Sequence, residues 1–321
     1  MESPPPKVCP RCGEPRILAP ECPRCGVLYA KAQARAPRPA PQAPPEAEPV
    51  LEPQGPVALA QTLDWDGERQ DTRFELKMRA LALPVALVVA WMLVNTSAGG
   101  ALVRIFLSMW LHELGHATSA WLCGFPSFPG PWVTRTGETR SDVVFLVMAT
   151  GLGALLLRGW LNQRHSLMLL GLTGLVLQFV GTVLLSPLKA QQLITFGGDA
   201  GCLVLGSLLM ATVYAPRYSF LRQGGLHWGL LFIGAASFMD AFSKWWAARG
   251  DFANIPFGQI EGVGLSDPSK LVDVHGWTET ELIRRHLWLG LGCLAVLAVL
   301  YAVGLYRARA ELRALEDPRA R

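Results

Sequence analysis

Residues 106–123 read FLSMWLHELGHATSAWLC and set two histidines and a glutamate inside an otherwise apolar helix. His112 and His116 stand four residues apart, so their imidazoles leave one helix face one turn apart, the spacing that two ligands of a single tetrahedral zinc require. Two histidines leave room for a third protein ligand and an open position. A water there has its pKa lowered towards neutrality, and Glu113 is placed to take its proton. Ionisable side chains in a membrane segment are costly, so this cluster would suit an inert span badly. The competing reading is a helix end whose histidines merely face an aqueous surface.

The surrounding chain supports a membrane setting. It has 321 residues, 51% hydrophobic and 17% charged, a balance that fits a multi-span membrane protein better than a soluble domain. Apolar windows fall at about residues 81–94, 101–123, 143–157, 166–185, 193–215, 226–246 and 286–306, and most are long enough to span. The expected fold is therefore an all-α polytopic membrane protein with six or seven transmembrane helices. The window at 143–157 is the shortest and would be the one to re-enter rather than cross. Net charge is +4, and the Lys and Arg lie mostly outside these windows, as flanking charge on spans does. Arg69, Arg73, Lys77 and Arg79 precede the first window, which agrees with a cytoplasmic N-terminus in the cell membrane. Seven crossings would put the arginine-rich tail outside, against the same rule; six would bring it inside.

No apolar signal-peptide core stands in the first thirty residues, which instead carry Cys9-x2-Cys12 and Cys22-x2-Cys25. Residues 9–13 and 22–26 are the same pentapeptide, Cys-Pro-Arg-Cys-Gly, and each can turn so that two thiolates face one metal. The pattern resembles a zinc ribbon: a closed four-sulfur shell, structural rather than catalytic, in a reducing compartment. Iron takes the same ligands in a rubredoxin-like site. Arg11, Arg16, Arg24 and Lys31 offer a basic surface, read here as a solvated face or a protein-docking site in preference to a nucleic-acid contact. The expected domains are the ribbon at 1–30, a Pro/Ala-rich linker and juxtamembrane segment at 31–78, and a multi-pass domain at 79–321. Within the linker, 36–56 favours extended polyproline II, and 64–79 reads as a short interfacial helix.

For the third ligand at the histidine pair, the apolar windows offer Asp199, Asp240 and, at an edge, His227. Asp199 is best placed, because Phe196-Gly197-Gly198-Asp199-Ala200-Gly201 lets helices approach closely; a modest tilt or an unwound segment at Gly197-Gly198 would bring it level with His112. Asp240 has Lys244 one turn on as a local partner. The connection at 251–276 is polar; Ser266-Asp267-Pro268 reads as a cap and first-turn proline for a short helix, and Thr278-x-x-Glu281 as the capping box of a long last one.

A His-Glu-Leu-Gly-His helix in the bilayer, followed by an aspartate among glycines in a later apolar segment, resembles the site-2 protease family of intramembrane zinc metallopeptidases. The likeness covers about residues 81–215. The aspartate motif here is Gly-Gly-Asp-Ala-Gly without the family's Asn-Pro, and no PDZ-like insertion is visible; the ribbon and tether replace it as the obvious soluble module. The resemblance implies a catalytic zinc on His112, His116 and Asp199, Glu113 as the general base, and hydrolysis of membrane-anchored protein substrates. A second, structural zinc would sit on Cys9, Cys12, Cys22 and Cys25, with the ribbon recruiting a cytoplasmic partner or substrate. The rival class is a non-proteolytic membrane scaffold or sensor with structural metal sites, and a less favoured third is a transporter using the intramembrane acids as an ion path.

Two independent ligand sets lead to a stoichiometry. Elemental analysis of purified protein is expected to find about two metal ions per chain, one lost on Cys22→Ser and the other on His112→Ala. A single equivalent, insensitive to His112→Ala, would remove the intramembrane site.

Overall fold

The computed structural model describes residues 8, 9, 11, 12, 14, 15, 20–29, 67–217, 219–260 and 264–316. The expected polyproline tether and the start of the expected interfacial helix lie outside these residues. Two compact units divide the chain, Met1–Asp64 and Trp65–Arg321.

In the first unit Cys9 and Cys22 make matching backbone contacts. Cys9 N–H donates to Glu14 O at 2.7 Å, Cys22 N–H to Val27 O at 3.0 Å, and the bridges Val8↔Pro15 and Glu21↔Leu28 close the two turns. Gly26 takes φ +67°, a left-handed conformation that a side chain would resist. The four cysteine Sγ atoms all lie within 4.8 Å of one another, so this cluster could hold a metal. Burial pushes a thiol up, yet the backbone N–H groups of Cys25 and Arg24 bring Cys22 down to about 6 and favour the thiolate. Arg24 is paired with Glu14 at 2.7 Å, which neutralises part of the basic surface.

The second unit is helical. Its main helices are α1 (Gly67–Val94), α2 (Ser97–Val103), α3 (Met109–Leu122), α4 (Asp142–Leu161), α5 (His165–Phe179), α6 (Pro187–Ala211), α7 (Leu226–Ala248) and α8 (Glu279–Glu316). Among the described residues six helical stretches are long and apolar enough to cross a membrane: α1, α4, α5 with its π-helical extension to Leu184, α6 with its extension to Tyr214, α7 and α8. Large apolar side chains face outward, among them Val147, Leu169 and Trp288, as lipid-facing positions do. The expected short window lies within α4, whose 20 residues suffice to span. The window at 101–123 is the interrupted one: a π-helical turn, Arg104–Ser108, separates α2 from α3.

Contacts sort the helix ends. Arg73 pairs with Glu316 at 3.0 Å, and Arg222 with Glu75, so the start of α1, the end of α8 and the start of α7 share one end of the bundle. At the other end Arg140 donates to the carbonyls of Cys123, Gly181 and Leu185, gathering the end of α3, the start of α4 and the end of α5. The chain from Gly67 to Leu122 therefore passes from one end to the other once, in two pieces. That removes the conflict over the basic tail, because the start of α1 and the end of α8 are on the same side of the bundle. The basic segment before the first window is also no separate helix: from Gly67 it is continuous with α1.

The core forms where backbones come close. A Cβ added to Gly115 would stand 2.2 Å from Gly197 O, and one on Gly201 2.4 Å from Gly115 Cα, so only glycines allow α3 this near α6. On its other face α6 meets α7 through Gly206 and Gly234. Helix α6 runs unbroken through Gly197 and Gly198, so those residues serve close approach and no unwinding is needed. Pro84 lies inside α1 and cannot donate to Ala80 O; Tyr301 Oη of α8 donates to that carbonyl at 3.3 Å instead.

Tyr301→Phe is expected to cost about 1 kcal/mol of stability. The cost should largely vanish in a Pro84→Ala background, where an amide N–H can take the carbonyl; thermal melting of the four variants in detergent reads the cycle.

Candidate metal centre

The HELGH turn of α3 is read from the inside of the bundle: His112, Glu113 and His116 are all buried. Each histidine has its Nδ1 occupied. His112 Nδ1 lies 3.0 Å from Asp199 Oδ1 on α6, and His116 Nδ1 lies 2.7 Å from Ile194 O on the same helix. Anchored so, both rings turn Nε2 to the same point, and the two Nε2 atoms are 3.2 Å apart. The third group at that point is Asp267. Its Oδ2 lies 2.9 Å from His112 Nε2 and 3.0 Å from His116 Nε2. Burial pushes this carboxyl up, but the two imidazoles beside it, His116 foremost, outweigh that by electrostatic attraction and hydrogen bonding and hold Asp267 well below the ordinary carboxylate range.

A tetrahedral zinc with bonds of about 2.0–2.1 Å separates its ligand atoms by roughly 3.3 Å. The three donor atoms are near that spacing, and two imidazoles with one carboxylate suit zinc chemically. The space they face is kept open by the absence of a side chain at Gly198. A Cβ there would lie 2.4 Å from His112 Cε1 and 2.6 Å from both Nε2 atoms. The residues present therefore fit the ion that the sequence implies. A second grouping, His112, Asp199 and Cys202, converges on the Nδ1 side of His112.

This geometry departs from the sequence reading at the third ligand. Asp199 was expected to face the ion with both histidines; it reaches His112 from behind, on Nδ1, and its Oδ2 accepts from Trp245 Nε1 at 2.9 Å. Asp240 pairs with Lys244 at 2.7 Å, as its spacing suggested, and also with Arg104 at 3.1 Å. His227 is buried with its Nδ1 towards Leu221 O and takes no part. By sequence Asp267 starts a capped turn; Ser266 does cap that turn, accepting from Ser269 N–H, and the Asp267 carboxylate faces the two Nε2 atoms. Nothing in its local sequence separates a cap neighbour from a ligand. Arg104 is the other omission, although an arginine within an apolar window was a usable signal. It lies 3.5 Å from Asp199 and bridges that residue to Asp240.

The centre opens into a cavity of about 660 Å³ lined by Arg104, His112, Glu113, His116, Asp199 and Asp267. One wall is the hairpin of β1 (Ser127–Pro129) and β2 (Thr134–Thr136), held to α3 by Trp121 Nε1 donating to Ser127 O and Thr134 Oγ1 donating to Glu113 O. The facing wall is the connection between α7 and α8, including the short hairpin of β3 (Gln259–Ile260) and β4 (Gly264–Leu265). Among the described residues the Glu113 carboxylate makes no hydrogen bond or ion pair, and it lines this cavity. Comparisons with protein-family models, curated proteins and solved structures found no match.

Gly198→Ala is expected to lower zinc occupancy at least about tenfold while leaving the protein helical, because the new methyl enters the space between the two imidazoles. Zinc content and circular dichroism on the same preparation check it.

Proposed function

We propose that the chain is an intramembrane zinc metalloprotease that hydrolyses peptide bonds of membrane-anchored proteins, with zinc held by His112, His116 and Asp267. The observation that carries the reading is the convergence of two Nε2 atoms and one carboxylate oxygen beside an unpaired Glu113 carboxylate, in a cavity among helices that could span a membrane. A purely structural metal would gain nothing from that free carboxylate or from a cavity of about 660 Å³ beside it.

When bound, zinc would lower the pKa of water and polarise the scissile carbonyl. The chain's own groups do the rest. Glu113 accepts the proton of the attacking water and returns it to the amine nitrogen as the C–N bond breaks. Asp199 and Ile194 O hold the two rings by Nδ1 and fix which nitrogen faces the cavity. Arg104 and Trp245 in turn hold Asp199, so its carboxylate is shared among three partners and cannot swing to the two Nε2 atoms without leaving them. A transmembrane substrate helix must unwind locally before its carbonyls can enter such a site. The four-cysteine module is read as a zinc ribbon that recruits a partner or substrate in the cytoplasm.

Four measurements separate these assignments. Glu113→Gln should keep zinc and reduce cleavage of a transmembrane model peptide by at least roughly a hundredfold. Asp267→Ala should lose zinc and activity together. Asp199→Asn should weaken zinc by about 10–100-fold, the scale of a lost orienting partner. Asp240→Asn should leave zinc in place. Unchanged cleavage in Glu113→Gln would end the protease reading, and full zinc retention in Asp267→Ala with complete loss in Asp199→Asn would return the third position to α6.

A further inference from the structure

A second cleft lies where the end of α7 meets the start of α8, and it shares no residue with the metal cavity. Its volume is about 530 Å³, and its lining includes Trp246, Arg249, Arg284, Leu287, Trp288 and Leu291. On α8 the positions 284, 287, 288 and 291 follow helical spacing, so they form one stripe down the first turns of the span. The stripe is graded, with a cation at its outer end and leucines inward.

Among the described residues neither Arg249 nor Arg284 forms an ion pair. Of the carboxylates nearby, Glu281 pairs with Arg285, and Asp251 Oδ1 accepts from the N–H of Ala253. Arg249 is nevertheless held in place, its guanidinium carbon 4.0 Å from the centroid of the Trp246 ring. Trp288 is 70% exposed beside it, an indole at the end of a span where the bilayer's polar and apolar layers meet.

We propose that this cleft binds one anionic phospholipid, with its headgroup phosphate at Arg249 and Arg284 and an acyl chain along Leu287 and Leu291. Charge complementarity carries the headgroup, because two guanidinium groups at one end of the bundle, without an ion pair among the described residues, match a phosphate and a net negative charge. The apolar stripe and the two indoles carry the rest. A soluble anion would use the arginines and leave Leu287, Leu291 and Trp288 exposed; a lipid covers all of them at once. The cleft lies at the same end of the bundle as the connection that supplies Asp267, between the two helices that connection joins.

The test uses the full-length protein in nanodiscs containing a minority of phosphatidylglycerol in phosphatidylcholine, with retained lipid counted by native mass spectrometry after release. Wild-type protein is expected to retain one phosphatidylglycerol with a preference of about tenfold or more over phosphatidylcholine. Arg249→Gln with Arg284→Gln should abolish the preference, and Trp288→Ala should weaken it. Arg309→Gln with Arg313→Gln, at the opposite end of α8, should leave it intact. Inorganic phosphate added in excess should not displace the lipid. Equal retention of the two lipids by the wild-type protein overturns the proposal without recourse to any variant. So does an undiminished preference in the Arg249/Arg284 variant, an equal loss in the Arg309/Arg313 variant, or displacement by free phosphate.

Discussion

Backbone-to-backbone contact between α3 and α6 is the constraint on which the rest of this bundle depends. In lipid there is little hydrophobic gain from bringing two helices together, so their approach is set by how closely atoms can pack. Gly115 against Gly197 and Gly201 brings backbone against backbone at the crossing. The consequence is chemical as well as mechanical. With α3 seated so near, the Ile194 carbonyl and the Asp199 carboxylate of α6 come within hydrogen-bond reach of the two Nδ1 atoms, and the imidazoles are turned by the helix that packs on them.

The polar groups that this arrangement buries form one connected set. His112 is held by Asp199, which is held by Arg104 and Trp245, and Arg104 is shared with Asp240, which Lys244 also reaches. A charge isolated in such surroundings would be costly, and its cost falls only when opposite charges and hydrogen-bond donors surround it. Each of these ionisable residues thus depends on the next. The network also fixes an orientation, because a carboxylate that answers three donors has little freedom to turn. Asp267 is reached differently, from a connection outside the spans, with Lys270 3.9 Å away as its nearest basic neighbour apart from the two histidines. The centre therefore joins a half built on helices to a carboxylate delivered by a loop, and both halves border the open cavity.

The same principle of satisfying each polar group explains features remote from the centre. Pro84 breaks a hydrogen bond in α1, and Tyr301 from α8 repairs it, which ties the first helix to the last at the end where Arg73 meets Glu316. Glu75, buried in α1, is answered by Arg79 and Arg222. The two ends of the unit are thus held by polar contacts and its middle by glycine crossings.

What the sequence determined by itself was whatever depends on short spacing. His112 and His116 must share a face at four residues apart, each Cys-Pro-Arg-Cys-Gly must present two thiols, and long uncharged windows must be helices if they lie in lipid, since each follows from backbone geometry within a few residues. The local caps at Ser266 and Thr278 and the pairing of Asp240 with Lys244 were legible for the same reason. Only the tertiary structure decided which carboxylate faces both Nε2 atoms, because Asp267 is 155 residues from His112 and its approach depends on how the connection between α7 and α8 folds back over the bundle. It also decided that Asp199 meets His112 on Nδ1, that Arg104 joins two aspartates, and that the first two apolar windows make one passage between the ends. A side chain's direction across a helix interface is set by the depth and rotation at which the two helices pack, and neither is encoded in the local run of residues.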